Sequence, residues 1–417
     1  MSIQAPRGTR DILPDQTPTW RMVEQKFHEV CENFNFQEIR VPTFEQTELF
    51  ERGVGDTTDI VQKEMYTFLD KAGRSMTLRP EGTAGVVRAF LENGLSSETS
   101  PQKLYYILNN FRYEKMGKGR YREFSQMGCE LFSSAEPAAD AELISLLYIF
   151  FEQLGLRQIN LKLNSIGCST CRPAYFKKLK DYLRPNIKEL CENCQDRFER
   201  NPFRIIDCKE DADSEVIKNA PLQKDYLCSE CQNHFNKLCA QLDHLAIEYE
   251  VEGHIVRGLD YYTRTVFEFV SENVGTQGTI CGGGRYDGLV EELGGQATPA
   301  VGFALGVERL LMELESQNVS LPVMQNPDLY IVSFPDTLNQ AAHIAMDLRK
   351  NNIRAEYDLM SRSFRAQMKY ADRIQAKYLF VLGEDELKTE KIKLRNMADG
   401  KEEDIELIDL IDYLIKD

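Results

Sequence analysis

No stretch of eighteen consecutive apolar residues occurs in the 417-residue chain, which argues against a membrane-spanning helix. The opening segment MSIQAPRGTRDILP has no apolar core, so it does not read as a secretory signal, and the cytoplasm is the expected compartment. A cationic balance is missing as well: 50 Lys and Arg stand against 66 Asp and Glu, a formal charge of −16. That argues against bulk, non-specific nucleic-acid binding, which needs clustered cations, but leaves room for local basic patches. No segment repeats at a solenoid period, and there is no low-complexity tract. Eleven cysteines in a cytoplasmic chain point to thiols or metal ligands rather than disulfides. The 42% hydrophobic content supports a large core, and the length suits two or three domains.

The most informative stretch is LYYILNNFRYEKMGKGRYREFSQMGCELF, Leu104 to Phe132. It reads as a strand over Leu104–Glu114, a loop over Lys115–Arg122 with two glycines, four basic residues and no acid, and a return strand over Glu123–Phe132. Period-two alternation puts Phe124, Gln126, Gly128 and Glu130 on one face, and Arg112 and Glu114 together on one face of the first strand. A buried glutamine and glutamate are costly unless something pairs with them, so this surface suits a small zwitterion beside a phosphorylated partner.

Elsewhere, residues 17–36 carry a helical pattern through Trp20, Val23, Phe27, Val30, Cys31 and Phe34, and QEIRVPTFE follows as a strand bearing Pro42, a residue tolerated mainly at sheet edges. Ser75–Thr83 reads as a strand running into a helix, with Thr83 placed to cap it and Glu81 to favour its dipole. A helix over 137–156 and a strand, INLKLNSIG, come next. Three CxxC pairs then appear, Cys168/Cys171, Cys191/Cys194 and Cys228/Cys231, with Cys208 alone between them. Two such pairs would complete one tetrahedral zinc site, for instance Cys168, Cys171, Cys191 and Cys194; the same cysteines would also pack well as small buried residues of a compact helical insert. Val251–Phe269 reads as strand, Cys281–Leu289 carries three successive glycines that either let the backbone approach a ligand closely or mark a tight turn, and Ala300–Gly306 reads as a strand leading into a helix whose first turn holds Arg309. Asn318–Asp328, with Pro322 and Pro327, reads as a linker. Beyond it, strand patterns at Leu329–Val332, Arg354–Tyr357 and Tyr378–Leu382 alternate with helices, the last from about Ile405, as in a small α/β domain. After Ser361 a helix would align Arg362, Arg365, Lys369, Arg373 and Lys377 as a basic stripe, which is either solvated surface or a phosphate-contacting face.

The FRYE element at Phe111–Glu114 with its loop and return strand resembles motif 2 of the class II aminoacyl-tRNA synthetases, and GFALGVERL resembles their motif 3. The peptides RGLDYYT (257–263) and CGGGRYDGL (281–289) narrow the resemblance to the histidyl-tRNA synthetase family. It implies an α+β fold: an antiparallel-sheet catalytic domain over 1–322 with a helical Cys-rich insertion at about 168–245, then an anticodon-binding α/β domain over 327–417. It implies a dimer built on the helix and Pro42 strand near the N-terminus, no membrane association, and contact of the insertion with the tRNA acceptor arm. Its activity would be ATP-dependent activation of L-histidine, with Mg2+, and transfer to tRNA(His). By the same resemblance, Arg112, Arg257 and Arg309 would serve catalysis. Glu81, Thr83 and Gln126 would hold the α-amino group, Glu130 and Tyr262 the imidazole with Tyr261 beside them, and Glu114, Phe124 and Arg120 the ATP. Lys115 and Lys118, with Arg362, Arg365, Lys369 and Arg373, would meet tRNA. The resemblance departs from the common pattern at Lys115-Met116-Gly117 and at Ser125, where RPQ-like and histidine residues are usual. A histidine-binding regulatory subunit of histidine biosynthesis that charges no tRNA is the alternative on the same scaffold.

Overall fold

In the computed structural model, which describes residues 3–56, 58–208, 210–271, 273 and 278–416, the chain divides into two compact units, Met1–Pro322 and Val323–Asp417. The first is built on an eight-stranded sheet. In spatial order its strands are Gln37–Glu38, Gln102–Phe111, Glu123–Phe132, Ala300–Gly306, Thr279–Arg285, Thr263–Val270, Asn160–Ser165 and Glu250–Val251. The six central strands are antiparallel, and each outermost pair is parallel.

One face of this sheet is covered by the helices Thr17–Asn33 and Pro137–Gln153, which bury Phe27, Leu143, Leu147 and Phe150 against Cys129, Leu131, Phe267 and Phe303. The central strands are therefore apolar on that side at every second residue. The other face carries the polar residues. Tyr106, Gly128, Ala304, Gly282, Glu268 and Lys162 form one transverse row across it. Its middle three positions have almost no side chain, and the row ends in a carboxylate and an ammonium. Under the covering helices lies a fully buried ion pair: Arg285 Nη2 meets Asp140 Oδ2 at 2.7 Å, and the guanidinium also donates to the carbonyls of Ser134 and Glu136 and to Asp287 Oδ1 at 3.3 Å.

Several boundaries differ from the sequence reading. Pro42 splits its segment into two short strands, Gln37–Glu38 and Phe44–Gln46, in different sheets, because it cannot donate to a ladder. The first motif strand ends at Phe111, before Arg112 and Glu114. The peptide 257–262 is not strand; the ladder starts at Thr263 and shifts register between Thr263 and Val266, where Arg264 takes φ 53. The glycines 282–284 are strand interior rather than turn.

In the second unit the sheet runs Ala355–Tyr357, Leu329–Ser333, Tyr378–Leu382, Lys391–Asn396, Glu402–Glu406. The first three strands are parallel and the last two antiparallel. The final pair was not expected, and the last helix, expected from about Ile405, is Leu410–Lys416, after a turn at Leu407–Asp409. Lys391, Lys393 and Arg395 lie opposite Glu406, Asp404 and Glu402, so opposite charges pair across the ladder while Ile392 and Leu394 point into the core. On the helix Phe364–Arg373, Arg365, Lys369 and Arg373 are exposed opposite the buried Gln367 and Ala371. Arg362 precedes the helix, paired with Asp358 at 2.8 Å and stacked on Tyr370, and Lys377 follows its end; the stripe therefore holds three of the five expected cations.

Candidate active site

The polar face of the large sheet is the floor of a cavity of about 600 Å3. Phe124 and Gln126 rise from one strand, Gly302, Ala304 and Gly306 from the next, Gly282 and Glu268 beyond, and Arg257–Tyr262 form a side wall. Arg112, Glu114 and Arg120 close one end, with Glu308 and Arg309 beside them. A cavity of this size accommodates an amino acid together with a nucleotide.

Two glycines keep the floor low. A Cβ on Gly282 would run into the guanidinium of Arg257, and one on Gly302 into the carboxylate of Glu130. Any larger residue at either place would displace the charged group lying over it.

Glu81 and Thr83 stand where a loop enters the helix Thr83–Glu92. Glu81 accepts from the backbone N–H of Thr83 and of Ala84, both at 2.7 Å, and so satisfies two donors of the helix N-terminus. Burial holds its carboxyl above the ordinary range despite these bonds. The Thr83 hydroxyl, expected to cap this helix, instead donates to Glu130 Oε1 at 2.7 Å. Glu130 is fully buried and also accepts from the hydroxyls of Tyr106 at 3.0 Å and Tyr286 at 2.5 Å. Desolvation pushes its carboxyl up to about 8. Thr83 and Tyr286 line the cavity, whereas Glu130, to which their hydroxyls donate, lies behind these two side chains. The residue expected to meet the imidazole is thus one layer below the wall.

The arginines are spread along the cavity, each with a partner that fixes its direction. Arg112 Nε donates to the Pro80 carbonyl at 2.7 Å, and its guanidinium lies 5.3 Å from the centre of the Phe124 ring. Glu114 is 3.8 Å from Arg112 and 3.5 Å from Arg120. Arg257 pairs with Glu268 and lies 6.0 Å from the Tyr262 ring centre. Arg309 donates to the Thr279 carbonyl at 2.6 Å; burial, and after it the neighbouring Arg120, weaken its hold on its proton. Gln126 accepts from Asn110 at 2.7 Å, leaving its amide N–H2 to the cavity side. Lys115 and Lys118 are exposed in the motif 2 loop. Tyr261 and Tyr262 are buried side by side, ring centres 4.8 Å apart.

Sequence reasoning passed over Glu268, Tyr286, Lys162 and Glu308. Glu268 had a readable signal: it alternates with Phe267 and Phe269 and so falls on the polar face of the strand, where a lone carboxylate needs a partner. Tyr286 lies inside the glycine-rich peptide itself. Glu308, which accepts from the Ser125 N–H at 3.0 Å, offered none, because its partner is 183 residues away.

The cysteines regroup. Cys168 and Cys171 converge with Cys228 and Cys231, while Cys191 and Cys194 converge with Cys208 and Asp211. The expected set of Cys168, Cys171, Cys191 and Cys194 is not one site, because the chain between the first two pairs folds away as the helix Arg172–Leu183 and returns only at Cys228.

A family model described as histidyl-tRNA synthetase matches residues 8–310, and one described as anticodon binding domain matches residues 322–417. A histidine–tRNA ligase of Acetivibrio thermocellus is 55% identical over 415 residues, covering 99% of this chain and 100% of its own. Another, from Caldanaerobacter subterraneus subsp. tengcongensis, is 50% identical over 417 residues, covering 100% of both chains. The crystal structure of apo S. aureus histidyl-tRNA synthetase superimposes with a TM-score of 0.84 at 39% identity, covering 99% of this chain and 100% of that one. With both units matched and relatives aligned end to end, the chain belongs to the histidyl-tRNA synthetase family.

Proposed function

We propose that the cavity activates L-histidine with ATP and passes the histidyl group to tRNA(His). A carboxylate oxygen of histidine attacks the α-phosphorus, the bond to the bridging oxygen breaks, and pyrophosphate leaves with its electron pair. Negative charge spreads over the phosphoryl oxygens in that step, so fixed cations and correct placement supply most of the acceleration. The observation that carries the reading is the set of four arginines, Arg112, Arg120, Arg257 and Arg309, facing one cavity that also holds buried Glu81.

In this reading Arg112 and Arg257 flank the α-phosphate, and Arg120 and Arg309 take the β- and γ-phosphates. Arginine suits the task through its planar fork and permanent charge. Mg2+ would come with the nucleotide and would neutralise charge on its phosphates. Phe124 stacks on adenine, and Glu114 accepts from its amine. Glu81, Thr83 and Gln126 receive the histidine ammonium as a charge-assisted cluster. Tyr262 meets the imidazole beside Tyr261, and Glu130 sets the hydroxyls of Thr83 and Tyr286 from behind. In the transfer step a ribose hydroxyl of the terminal adenosine attacks the activated carbonyl and AMP leaves. Lys115 and Lys118 would steer the acceptor end, and the stripe Arg365, Lys369 and Arg373, with Arg362, would contact anticodon-stem phosphates.

We further propose a homodimer in the cytoplasm. Exposed Phe44, Phe68 and Leu69 lie on the small sheet next to the N-terminal strands, an apolar surface that a second copy would cover. Among the described residues no helix is long and apolar enough to cross a membrane. The regulatory-subunit alternative is disfavoured by the anticodon-domain match over 322–417. Charging of a tRNA(His) transcript with labelled histidine tests the reading. Acid-precipitable product is expected, and histidine binding without any charging would overturn it.

A further inference from the structure

We propose that the insertion holds two zinc ions at two separate centres. One is a four-thiolate site of Cys168, Cys171, Cys228 and Cys231; the other joins the thiolates of Cys191, Cys194 and Cys208 to the carboxylate of Asp211. Within each group the ligand atoms all lie within 4.8 Å of one another. A tetrahedral zinc about 2.3 Å from each sulfur sets the sulfurs about 3.8 Å apart. Cys168 is 3.7 Å from Cys171 and 3.9 Å from Cys228, and Cys191 is 3.7 Å from Cys208. These are not disulfides, whose sulfurs would be about 2.05 Å apart, and all eleven cysteines are free.

Simple packing of thiols explains close sulfurs but not the rest of the pattern. Each group contains four ligands, the number that structural zinc takes. The Cys228 N–H donates to Cys171 Sγ at 3.1 Å, the backbone bond that a thiolate accepts. In the second group Asp211 reaches in among three sulfurs, and the Cys191 N–H orients its carboxylate at 3.1 Å. Each group has two buried and two partly exposed ligands, which leaves an ion a route in.

Two metal centres would add to the modest apolar core of the insertion. Its helices Glu192–Arg200, Phe203–Ile206 and Glu215–Lys218 are short, and its apolar cluster is small. The first centre joins the two ends of the insertion, where it leaves and re-enters the catalytic unit. Arg172, next to Cys171, donates to the Tyr262 carbonyl, and Arg204 donates to the Arg257 carbonyl at 2.9 Å. The metal-held frame therefore braces the backbone of the peptide that carries Arg257 and Tyr262. The ligand geometry stands apart from the assignment of substrates to the cavity.

Metal analysis of the full chain, expressed with zinc and then dialysed into metal-free buffer, tests this. Two zinc ions per chain are expected, one in Cys171→Ser, one in Cys194→Ser, and two in Cys239→Ser, whose thiol belongs to neither group. Zero or one ion in the parent chain would overturn the proposal, as would either single variant keeping both ions. Should a variant fail to fold, the parent chain itself decides. After chelation and titration with Co2+, it is expected to show sulfur-to-cobalt charge-transfer and tetrahedral d–d bands that saturate at two equivalents; absence of those bands, or saturation at one, would overturn it.

Discussion

Replacing Glu130 by glutamine is expected to flatten the pH dependence of the catalytic unit's stability. Burial pushes this carboxyl from 4.5 up to about 8, against the hydrogen bonds from Tyr286 and Thr83. Between those two values the folded chain keeps a proton that the unfolded chain has released. The stabilisation is therefore complete below the unfolded value and drains away as pH rises, until it levels off above about 8. At about 1.4 kcal/mol per pH unit at the steepest, the whole window amounts to roughly 5 kcal/mol. Glutamine keeps the size and neutrality of the protonated form and cannot ionise. The wild-type chain should weaken relative to Glu130→Gln by several kcal/mol between about pH 5 and about pH 9. Urea unfolding followed by Trp20 fluorescence reads this directly, because Trp20 is the only tryptophan and is buried in the catalytic core. Parallel stability curves for the two proteins would refute the argument that burial governs Glu130.

Three further outcomes are expected. Arg257→Ala should lower histidine-dependent adenylation by about a thousandfold or more, roughly 4 kcal/mol of barrier, with Trp20 fluorescence and unfolding midpoint little changed; near-normal turnover would remove Arg257 from the reaction. Asp140→Ala takes the nearer of two carboxylates from the fully buried Arg285, leaving Asp287 at 3.3 Å, and should cost up to about 3–5 kcal/mol of stability in the same urea experiment; a loss under about 1 kcal/mol would mean that Asp287 and the carbonyls of Ser134 and Glu136 suffice. Lys369→Ala should reduce the slope of log binding constant for tRNA against log salt by about 0.9, the value of one phosphate contact on a duplex stem. An unchanged slope would take Lys369 off the RNA-binding face.

Local features were legible in the sequence where local physics decides them. The strands Glu123–Phe132 and Ala300–Gly306 have the boundaries their alternation and glycines suggest. The grouping of Phe124, Gln126, Gly128 and Glu130 on one face follows from the period of two alone. What could not be read is long-range pairing. Cys168 finds Cys228 rather than Cys191, and Arg257 takes Glu268 as its partner, because of how distant segments cross. The position of Glu130 behind the wall depends on three hydroxyls from three separate segments. The last two strands of the second unit were hidden by a run of acids in Glu402–Glu406 that resembles a solvated helix face until its basic partner strand is seen opposite.

This cavity is expected to adenylate histidine. ATP–pyrophosphate exchange by the purified full chain, run with each of the twenty amino acids in turn, tests it most directly. Exchange with histidine alone is expected. Measurable histidine binding with no exchange, or exchange driven equally by another amino acid, would contradict it.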